Sequence, residues 1–174
     1  LAALTHVARF GARGQKPHLR AASKSLPHRP GDRHIAAAAT RAGMKLLGIA
    51  GPSGSGKTTL VERLVGRLDG RGRVATVKHV DHGVDVDREG KDTSRHRAAG
   101  AAETYALTDD GAWFATGEDH TLEDVLDDLA PDYDYALVEG YSGADIPTVA
   151  LGGRDHEGET VAAAPDVDDV DLDA

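Results

Sequence analysis

The 174-residue chain contains no cysteine and has no apolar run close to the roughly 18 residues that a membrane-spanning helix needs. The absence of cysteine excludes a disulfide framework and a thiolate zinc site. Together the two absences favour a protein of the reducing cytoplasm with no membrane segment. The length favours a single folded domain.

Lysine is also scarce in most of the chain. Residues 44–174 hold only four lysines, and their twelve Arg and Lys stand against 28 Asp and Glu, a net charge of −16. This balance argues against a nucleic-acid partner, because phosphate contacts need clustered Lys and Arg. Charge of one sign repels itself inside a compact chain, and such compositions are associated with halophiles. We therefore hypothesise a protein from a high-salt cytoplasm.

Residues 1–43 have the opposite composition, with eight Arg and Lys against the single acid Asp32 and no sustained helical or strand period. Three interpretations remain open. The segment is a disordered basic arm for an anionic partner, a targeting peptide, or sequence placed ahead of a true start at Met44. We favour the last interpretation because Met44 is the only methionine, and we place residues 1–43 outside the fold.

Residues 51–58 read Gly-Pro-Ser-Gly-Ser-Gly-Lys-Thr, which matches every fixed position of the phosphate-binding loop G-x-x-x-x-G-K-[ST]. The loop lies between an apolar run at 46–50 and a helix-like segment at 59–68, as this motif requires. Its glycines allow successive N–H groups to point at one anion, and the helix start adds a partial positive charge. Lys57 is expected to reach the β- and γ-phosphates and the Thr58 hydroxyl to ligate Mg²⁺. The predicted phosphate-binding residues are Gly51, Pro52, Ser53, Gly54, Ser55, Gly56, Lys57, Thr58 and Thr59.

The rest of residues 44–165 alternates strand-like and helix-like segments. Strands are predicted at 46–50, 73–78, 103–107, 112–116, 135–140, 148–151 and 160–163. Helices are predicted at 59–68, 93–99 and 121–129, the last with Thr121 as its N-cap. Asp109-Asp110-Gly111 marks a hairpin turn. The pattern predicts a three-layer α/β fold of the P-loop NTPase kind, with a mostly parallel sheet and a small β-hairpin. Residues 166–174 are read as a frayed acidic tail.

Two further segments are expected at the phosphate loop, because ligands of such sheets bind at the carboxyl ends of the strands. Glu139 ends an apolar strand, where P-loop proteins keep an acid that orients magnesium-bound water. We assign Glu139 and Lys57 to the catalytic groups, with an acid that merely ends a strand as the alternative.

The second segment covers residues 78–92. Asp85 and Asp87 could hold Mg²⁺ through water. His79 and His82 could ligate a metal or an anionic ligand, while Lys78 and Lys91 could contact an anion. A solvated acidic loop remains the alternative for the whole segment.

Two motifs carry a family resemblance. Residues 78–93 match K-H-x-x-H-x-x-D-x-D-x-x-G-K-D-[ST], and residues 137–141 match L-V-E-G-[FY]. Together with the phosphate loop, and in this order, they resemble the molybdopterin-guanine dinucleotide biosynthesis protein B (MobB) family over residues 44–153. The chain departs from the family pattern at Ser142, where a lysine is usual, and in its shorter, acidic C-terminal part.

The resemblance implies a homodimer that binds GTP with Mg²⁺, hydrolyses it weakly and assists a MobA-type guanylyltransferase, which joins GMP to molybdopterin. Residues 51–58 would then hold the GTP phosphates. Asp85, Asp87, Glu139 and Thr58 would serve the metal. The nucleotide, molybdopterin or its guanine dinucleotide would bind at the opening of the site. The residues that would line this opening are Lys78, His79, His82, Lys91 and Asp92.

Two other functions stay open from the residues alone: a small-molecule kinase, and an adaptor that binds nucleotide without hydrolysing it. The chain has no Asn-Lys-x-Asp guanine motif, so the preference for GTP rests on the resemblance. Weak hydrolysis is expected because no residue is evident that orients the attacking water, and no arginine finger is evident.

Overall fold

A computed structural model of the chain describes residues 40–81 and 90–172. Its strands are β1 (Thr40–Arg41), β2 (Met44–Ala50), β3 (Val74–Lys78), β4 (Glu103–Leu107), β5 (Trp113–Gly117), β6 (Tyr135–Glu139), β7 (Thr148–Leu151) and β8 (Thr160–Ala164). Its helices are α1 (Lys57–Leu68), α2 (Asp92–Ala98) and α3 (Leu122–Leu129), with a short 3₁₀ turn at Val167–Asp169.

The larger sheet has the strand order β3-β6-β2-β7-β8, and every neighbouring pair along this path is parallel. The short strand β1 pairs antiparallel with the start of β2. A second sheet contains only β4 and β5, paired antiparallel around the predicted turn. The phosphate loop follows β2, in the middle of the larger sheet, so that the carboxyl ends of β6 and β7 flank it.

Alternate residues of each central strand are buried on opposite faces of the sheet, because successive side chains of a strand point to opposite faces. Met44 and Leu46 of β2 pack with α3 through Leu122 and Leu126. Ile49 of the same strand packs on the other face with α1. Helices thus cover both faces of a mostly parallel sheet, and the predicted three-layer α/β fold with a small hairpin is confirmed.

Most element bounds differ from the predicted ones by one or two residues. The α3 prediction holds in detail. Thr121 is its N-cap, and the Thr121 hydroxyl accepts a hydrogen bond from the Asp124 N–H while the Asp124 carboxylate accepts one from the Thr121 N–H. Helix α1 begins at Lys57 rather than at residue 59, since the motif's Lys and Thr already have helical backbone.

Two expectations about the ends of the fold are wrong. Residues 40–43 do not lie outside the fold: Thr40 and Arg41 pair with Lys45 and Met44, and the Arg41 Nε donates to the Asp127 carboxylate at 2.5 Å. This hydrogen bond raises the pKa of the Arg41 guanidinium above its usual value. The remainder of the basic segment lies outside the described residues.

Residues 166–172 are not a frayed tail. The side chain of Val167 is buried, and Val170 and Leu172 pack against the same apolar cluster as α1. Three apolar residues among four acids are enough to dock this segment, because they pack on a face of α1 that would otherwise be exposed. None of the helices in the described ranges has the length and apolar character to cross a membrane.

Candidate functional site: a phosphate loop with a basic and acidic pair

The phosphate loop has the backbone shape that its glycines predict. Gly54 and Gly56 both have left-handed backbone, each with φ of 81°, a conformation that other residues adopt only with strain. A Cβ on Gly51 would lie 2.4 Å from the Ser55 hydroxyl, so this position also requires glycine. Ser55 is buried, and its hydroxyl donates to the Pro52 carbonyl at 2.9 Å, which ties the loop across its base.

The start of α1 adds to the anion-binding character of the loop. Its N-cap is Gly56, which has no side chain to accept hydrogen bonds from the first turn. The first N–H groups of α1 therefore remain available to an anion, and the helix dipole favours negative charge at this point. The Lys57 ammonium donates to the carbonyls of Gly51 and Pro52, each at 2.7 Å. Lys57, the one positive side chain of the motif, thus links the start of α1 to the first two residues of the loop.

Three polar side chains meet directly beside the loop. The Thr58 hydroxyl donates to Oε1 of Glu139 at 3.0 Å, and the Lys78 ammonium lies 2.6 Å from the same oxygen. Lys78 is also 3.5 Å from the Thr58 hydroxyl. Glu139 is only 7% exposed, whereas the Lys78 side chain is 58% exposed. A buried carboxylate is costly without a partner, and here it has both a hydroxyl and an ammonium.

The sheet register explains why these residues meet although they lie far apart in sequence. Glu139 of β6 is opposite Ile49 of β2 on one side and opposite Lys78 of β3 on the other. All three positions are at the carboxyl ends of parallel strands. The Gly140 N–H then donates to the Ile49 carbonyl at 3.0 Å, which holds the end of β6 against the start of the loop.

His79 is the next predicted residue at this edge. Its ring lies 4.6 Å from the Tyr141 ring, centroid to centroid, with a 42° tilt. Gly140 lies between the two strand ends with φ of 88°, and a Cβ there would be 3.4 Å from the His79 Cβ. His79 is exposed and Tyr141 is partly buried, and the two rings follow Lys78 and Glu139 closely along the two strands.

The other predicted residues are not brought to the loop by any described contact. Lys91 is the N-cap of α2 and has no side-chain cap, and Asp92 pairs with Arg95 within the same helix at 3.8 Å. His82, Asp85 and Asp87 lie outside the described residues. Within the described ranges, no group of three or more His, Asp or Glu is placed to hold a metal ion. The roles assigned to these five residues stay predictions.

Two contacts of Val167 were not predicted from the sequence. A Cβ on Gly56 would lie 2.2 Å from the Val167 Cγ1, so Val167 packs directly on the last glycine of the loop. Arg63 of α1 donates to the Val167 carbonyl at 3.0 Å. The only sequence signal was the pair of apolar residues Val167 and Val170 in an otherwise acidic segment, a spacing typical of one helical turn.

Comparisons with known proteins identify the family that the chain resembles. A family model described as molybdopterin guanine dinucleotide synthesis protein B matches residues 46–169. A Haemophilus influenzae protein named molybdopterin-guanine dinucleotide biosynthesis adapter protein is 40% identical over 131 residues, which cover 71% of this chain and 70% of that protein. The crystal structure of Bacillus subtilis MobB is similar with a TM-score of 0.50 and 30% identity, covering 60% of this chain and 66% of that one.

A Haloferax volcanii protein named "Probable molybdopterin synthase" is 41% identical over 129 residues. These residues cover 74% of this chain but only 44% of that protein, so the chain spans less than half the length of this relative. The family match extends past residue 153, where the sequence resemblance ended, and includes the 3₁₀ turn that packs on the loop. On the fold, the loop and the matched length, this chain belongs to the MobB family, molybdopterin guanine dinucleotide synthesis protein B.

Proposed function

We propose that the chain binds GTP with Mg²⁺ at the phosphate loop and acts as an accessory protein in the attachment of GMP to molybdopterin. The observation that carries this proposal is the cluster of Thr58, Lys78 and Glu139 at the end of a complete phosphate loop. The loop offers converging N–H groups for the phosphates, and the cluster offers groups of both signs at the place where the terminal phosphate would lie. Membership of the MobB family supports the pathway.

The residues present fit a magnesium ion. Mg²⁺ prefers hard oxygen ligands, and the Thr58 hydroxyl and the Glu139 carboxylate place two such oxygens 3.0 Å apart. The ammonium of Lys78 lies against this carboxylate, so positive charge is already accommodated there and Mg²⁺ would take its place. When bound, Mg²⁺ would neutralise the charge of the phosphates. Thr58 would supply a direct ligand, and Glu139 would orient a water molecule on the ion.

The lysines would act on the nucleotide in two ways. Lys57 is held by carbonyls of its own loop, and it would exchange these for oxygens of the β- and γ-phosphates. Lys78 is largely exposed on a flexible stem, so it could turn from Glu139 towards the γ-phosphate. Both lysines place charge on the phosphates without supplying a base for water, and we therefore expect hydrolysis to be weak.

We also propose that the active unit is a homodimer formed through the β4–β5 hairpin. Three large side chains share one face of the hairpin: Tyr105 is 59% exposed, Leu107 76% and Trp113 67%. The rings of Tyr105 and Trp113 stack at 6.4 Å between centroids. We call these three residues the aromatic face. Burying it against a second copy would remove from water the three large apolar side chains with the highest exposed fractions among the described residues.

The proposal includes a cytoplasmic location at high salt, because the acidic composition is one that salt would stabilise.

Guanylyl transfer tests the function directly. Purified chain is added to a MobA-type guanylyltransferase with molybdopterin, GTP and Mg²⁺, and formation of the guanine dinucleotide is followed. We expect the wild-type chain to accelerate transfer and Lys57→Ala to lose that effect.

The fate of the γ-phosphate separates the alternatives. With GTP labelled at the γ-position, slow release of inorganic phosphate agrees with the proposal. Label on an organic acceptor would identify a small-molecule kinase and overturn it. Undiminished acceleration without any release in a single turnover would identify a nucleotide-gated adaptor.

A further inference from the structure

The acidic segment at residues 166–172 packs one buried side chain, Val167, against the phosphate loop, while its four acids are exposed. Val167 is 6% exposed and belongs to the same apolar cluster as Leu60 of α1 and Ile49 of β2. Its Cγ1 occupies the space beside Gly56, where a Cβ would come within 2.2 Å. Val167 therefore packs directly against Gly56, which is the last glycine of the loop and the N-cap of α1.

Two arginines of α1 hold this segment in place. The Arg63 Nη1 donates to the Val167 carbonyl at 3.0 Å, and its Nη2 donates to the Asp168 carboxylate at 2.7 Å. One turn later, the Arg67 Nη1 donates to the Leu172 carbonyl at 3.1 Å. The helix that begins with the phosphate loop thus also anchors the segment that packs on it.

The loop is also supported by the ends of the strands that lead into the segment. The Gly152 N–H, after β7, donates to the Ala164 carbonyl at the end of β8 at 2.9 Å. A Cβ on Gly152 would lie 3.0 Å from the Pro52 Cδ, so the chain after β7 touches the second residue of the loop. The ends of β7 and β8 and the 3₁₀ turn therefore enclose the loop from the side opposite Glu139.

A glycine-rich loop needs such support, because glycine loses more conformational freedom on folding than any other residue. Gly54 has no atom within 4 Å of a Cβ position, and Ser53 is exposed, so the tip of the loop has few contacts of its own. At Gly56, by contrast, a Cβ would come within 2.2 Å of a side chain from outside the loop, that of Val167. Anion binding needs the loop N–H groups to converge before the ligand arrives.

We propose that Val167 is a positioning residue for phosphate binding, and that the 3₁₀ turn at Val167–Asp169 holds the phosphate loop in its anion-binding shape. This inference rests on the proposed function, since it concerns the same site. Binding is reciprocal: if the segment favours the binding shape of the loop, then bound phosphate must in turn stabilise the segment. Nucleotide binding would therefore stabilise the packing of this segment on α1.

Three variants test the proposal: Val167→Ala removes the contact with Gly56, Val167→Thr keeps the branched shape of the side chain, and Val170→Ala removes a partly buried valine of the same cluster. Affinities for GTP with Mg²⁺ and for inorganic tripolyphosphate are measured where circular dichroism shows every variant folded. We expect Val167→Ala to weaken both ligands by roughly tenfold, a typical coupling between sites. Val167→Thr should lose stability, because it buries a hydroxyl, yet keep its affinity. Val170→Ala should also keep its affinity.

Amide hydrogen exchange supplies the second readout. In the wild-type chain, GTP should slow exchange at residues 166–170, and in Val167→Ala this effect should shrink. The proposal would be overturned if all three variants bound with the affinity of the wild-type chain. It would also be overturned if exchange at residues 166–170 did not respond to GTP. Failure of the proposed function looks different, because the wild-type chain itself would then bind neither tripolyphosphate nor GTP.

Discussion

The phosphate-loop end of the larger sheet and the β4–β5 hairpin are built in opposite ways. Around the loop, buried polar groups have partners: Glu139 is bonded to both Thr58 and Lys78, and Ser55 is bonded to Pro52. In the hairpin, the aromatic face is open to solvent, and the buried hydroxyls of the cross-strand pair Thr104 and Thr116 have no hydrogen-bond partner among the described residues.

This difference indicates two kinds of ligand. A site that satisfies its own polar groups and leaves N–H groups at a helix start is suited to a small anion. An isolated two-stranded sheet is marginally stable in water, so a hairpin that also exposes tryptophan is suited to a macromolecular surface. The comparison predicts that changes in the loop and changes in the hairpin will have separable effects.

The largest effect is expected from the loop glycine that touches Val167. Gly56→Ala must place a Cβ in the left-handed region, which costs about 1–2 kcal/mol, and also against Val167, where overpacking adds about 1–3 kcal/mol. Gly54→Ala is a matched control, since its φ is the same but its Cβ would meet nothing. Urea unfolding should show a loss of about 3 kcal/mol in the free energy of unfolding for Gly56→Ala and about half of that for Gly54→Ala. Equal losses would mean that the contact with Val167 is not tight.

The sequence predicted the loop side of this comparison well because the information is local. A fixed spacing of glycines, a lysine and a threonine specifies the loop, and the strand ends that carry Lys78 and Glu139 follow from the rule for parallel sheets. The contact of Val167 with Gly56 joins residues 111 positions apart, and no local pattern encodes which face of α1 receives the last segment. The pairing of Thr40 and Arg41 with β2 was missed because a two-residue strand has no period to detect.

The hairpin side of the comparison is tested by the only tryptophan of the chain. Trp113→Ser should weaken the proposed dimer by about 30-fold, because a tryptophan at the centre of an interface contributes roughly 2 kcal/mol. Val161→Ser, another exposed apolar residue but on β8, is the control and should leave the dimer unchanged. Sedimentation velocity measures the dissociation constant. GTP affinity should stay the same in both variants; a monomeric wild-type chain would contradict this use of the hairpin.

Salt should stabilise the acidic fold as a whole. The Debye length falls from about 10 Å at 0.1 M to about 3 Å at 1 M salt, so repulsion among the acids is screened. We expect the urea midpoint to rise by about 0.5 M in molar KCl, which corresponds to roughly 1 kcal/mol. The same series near pH 5.4, where the sequence carries no net charge, should show a smaller rise. A midpoint that ignores KCl at pH 7 would refute the high-salt hypothesis.

The smallest effect concerns the turn of the hairpin. Hydrogen bonds from the Thr108 hydroxyl and then from the Ala112 N–H lower the pKa of Asp110 below its usual value of 3.8. Because the folded pKa is the lower one, this carboxylate stabilises the turn above pH 3.8 and loses that effect as the pH falls through the folded pKa. NMR titration of Asp110 should show the lowered pKa, and Thr108→Val should move it back towards 3.8. An identical titration in both proteins would exclude the hydrogen bond as the cause.

The central claim is that the phosphate loop binds GTP with Mg²⁺, and calorimetric titration of GTP and ATP into the wild-type chain and Lys57→Ala tests it most directly. Lys45→Ala, at the other end of β2, is the control. We predict that GTP binds more tightly than ATP and that Lys57→Ala loses about 100-fold in GTP affinity, since hydrogen bonds from a charged lysine to phosphate contribute roughly 3 kcal/mol. Unchanged affinity in Lys57→Ala would remove the loop from the site, and equal binding of ATP would contradict the assignment of GTP.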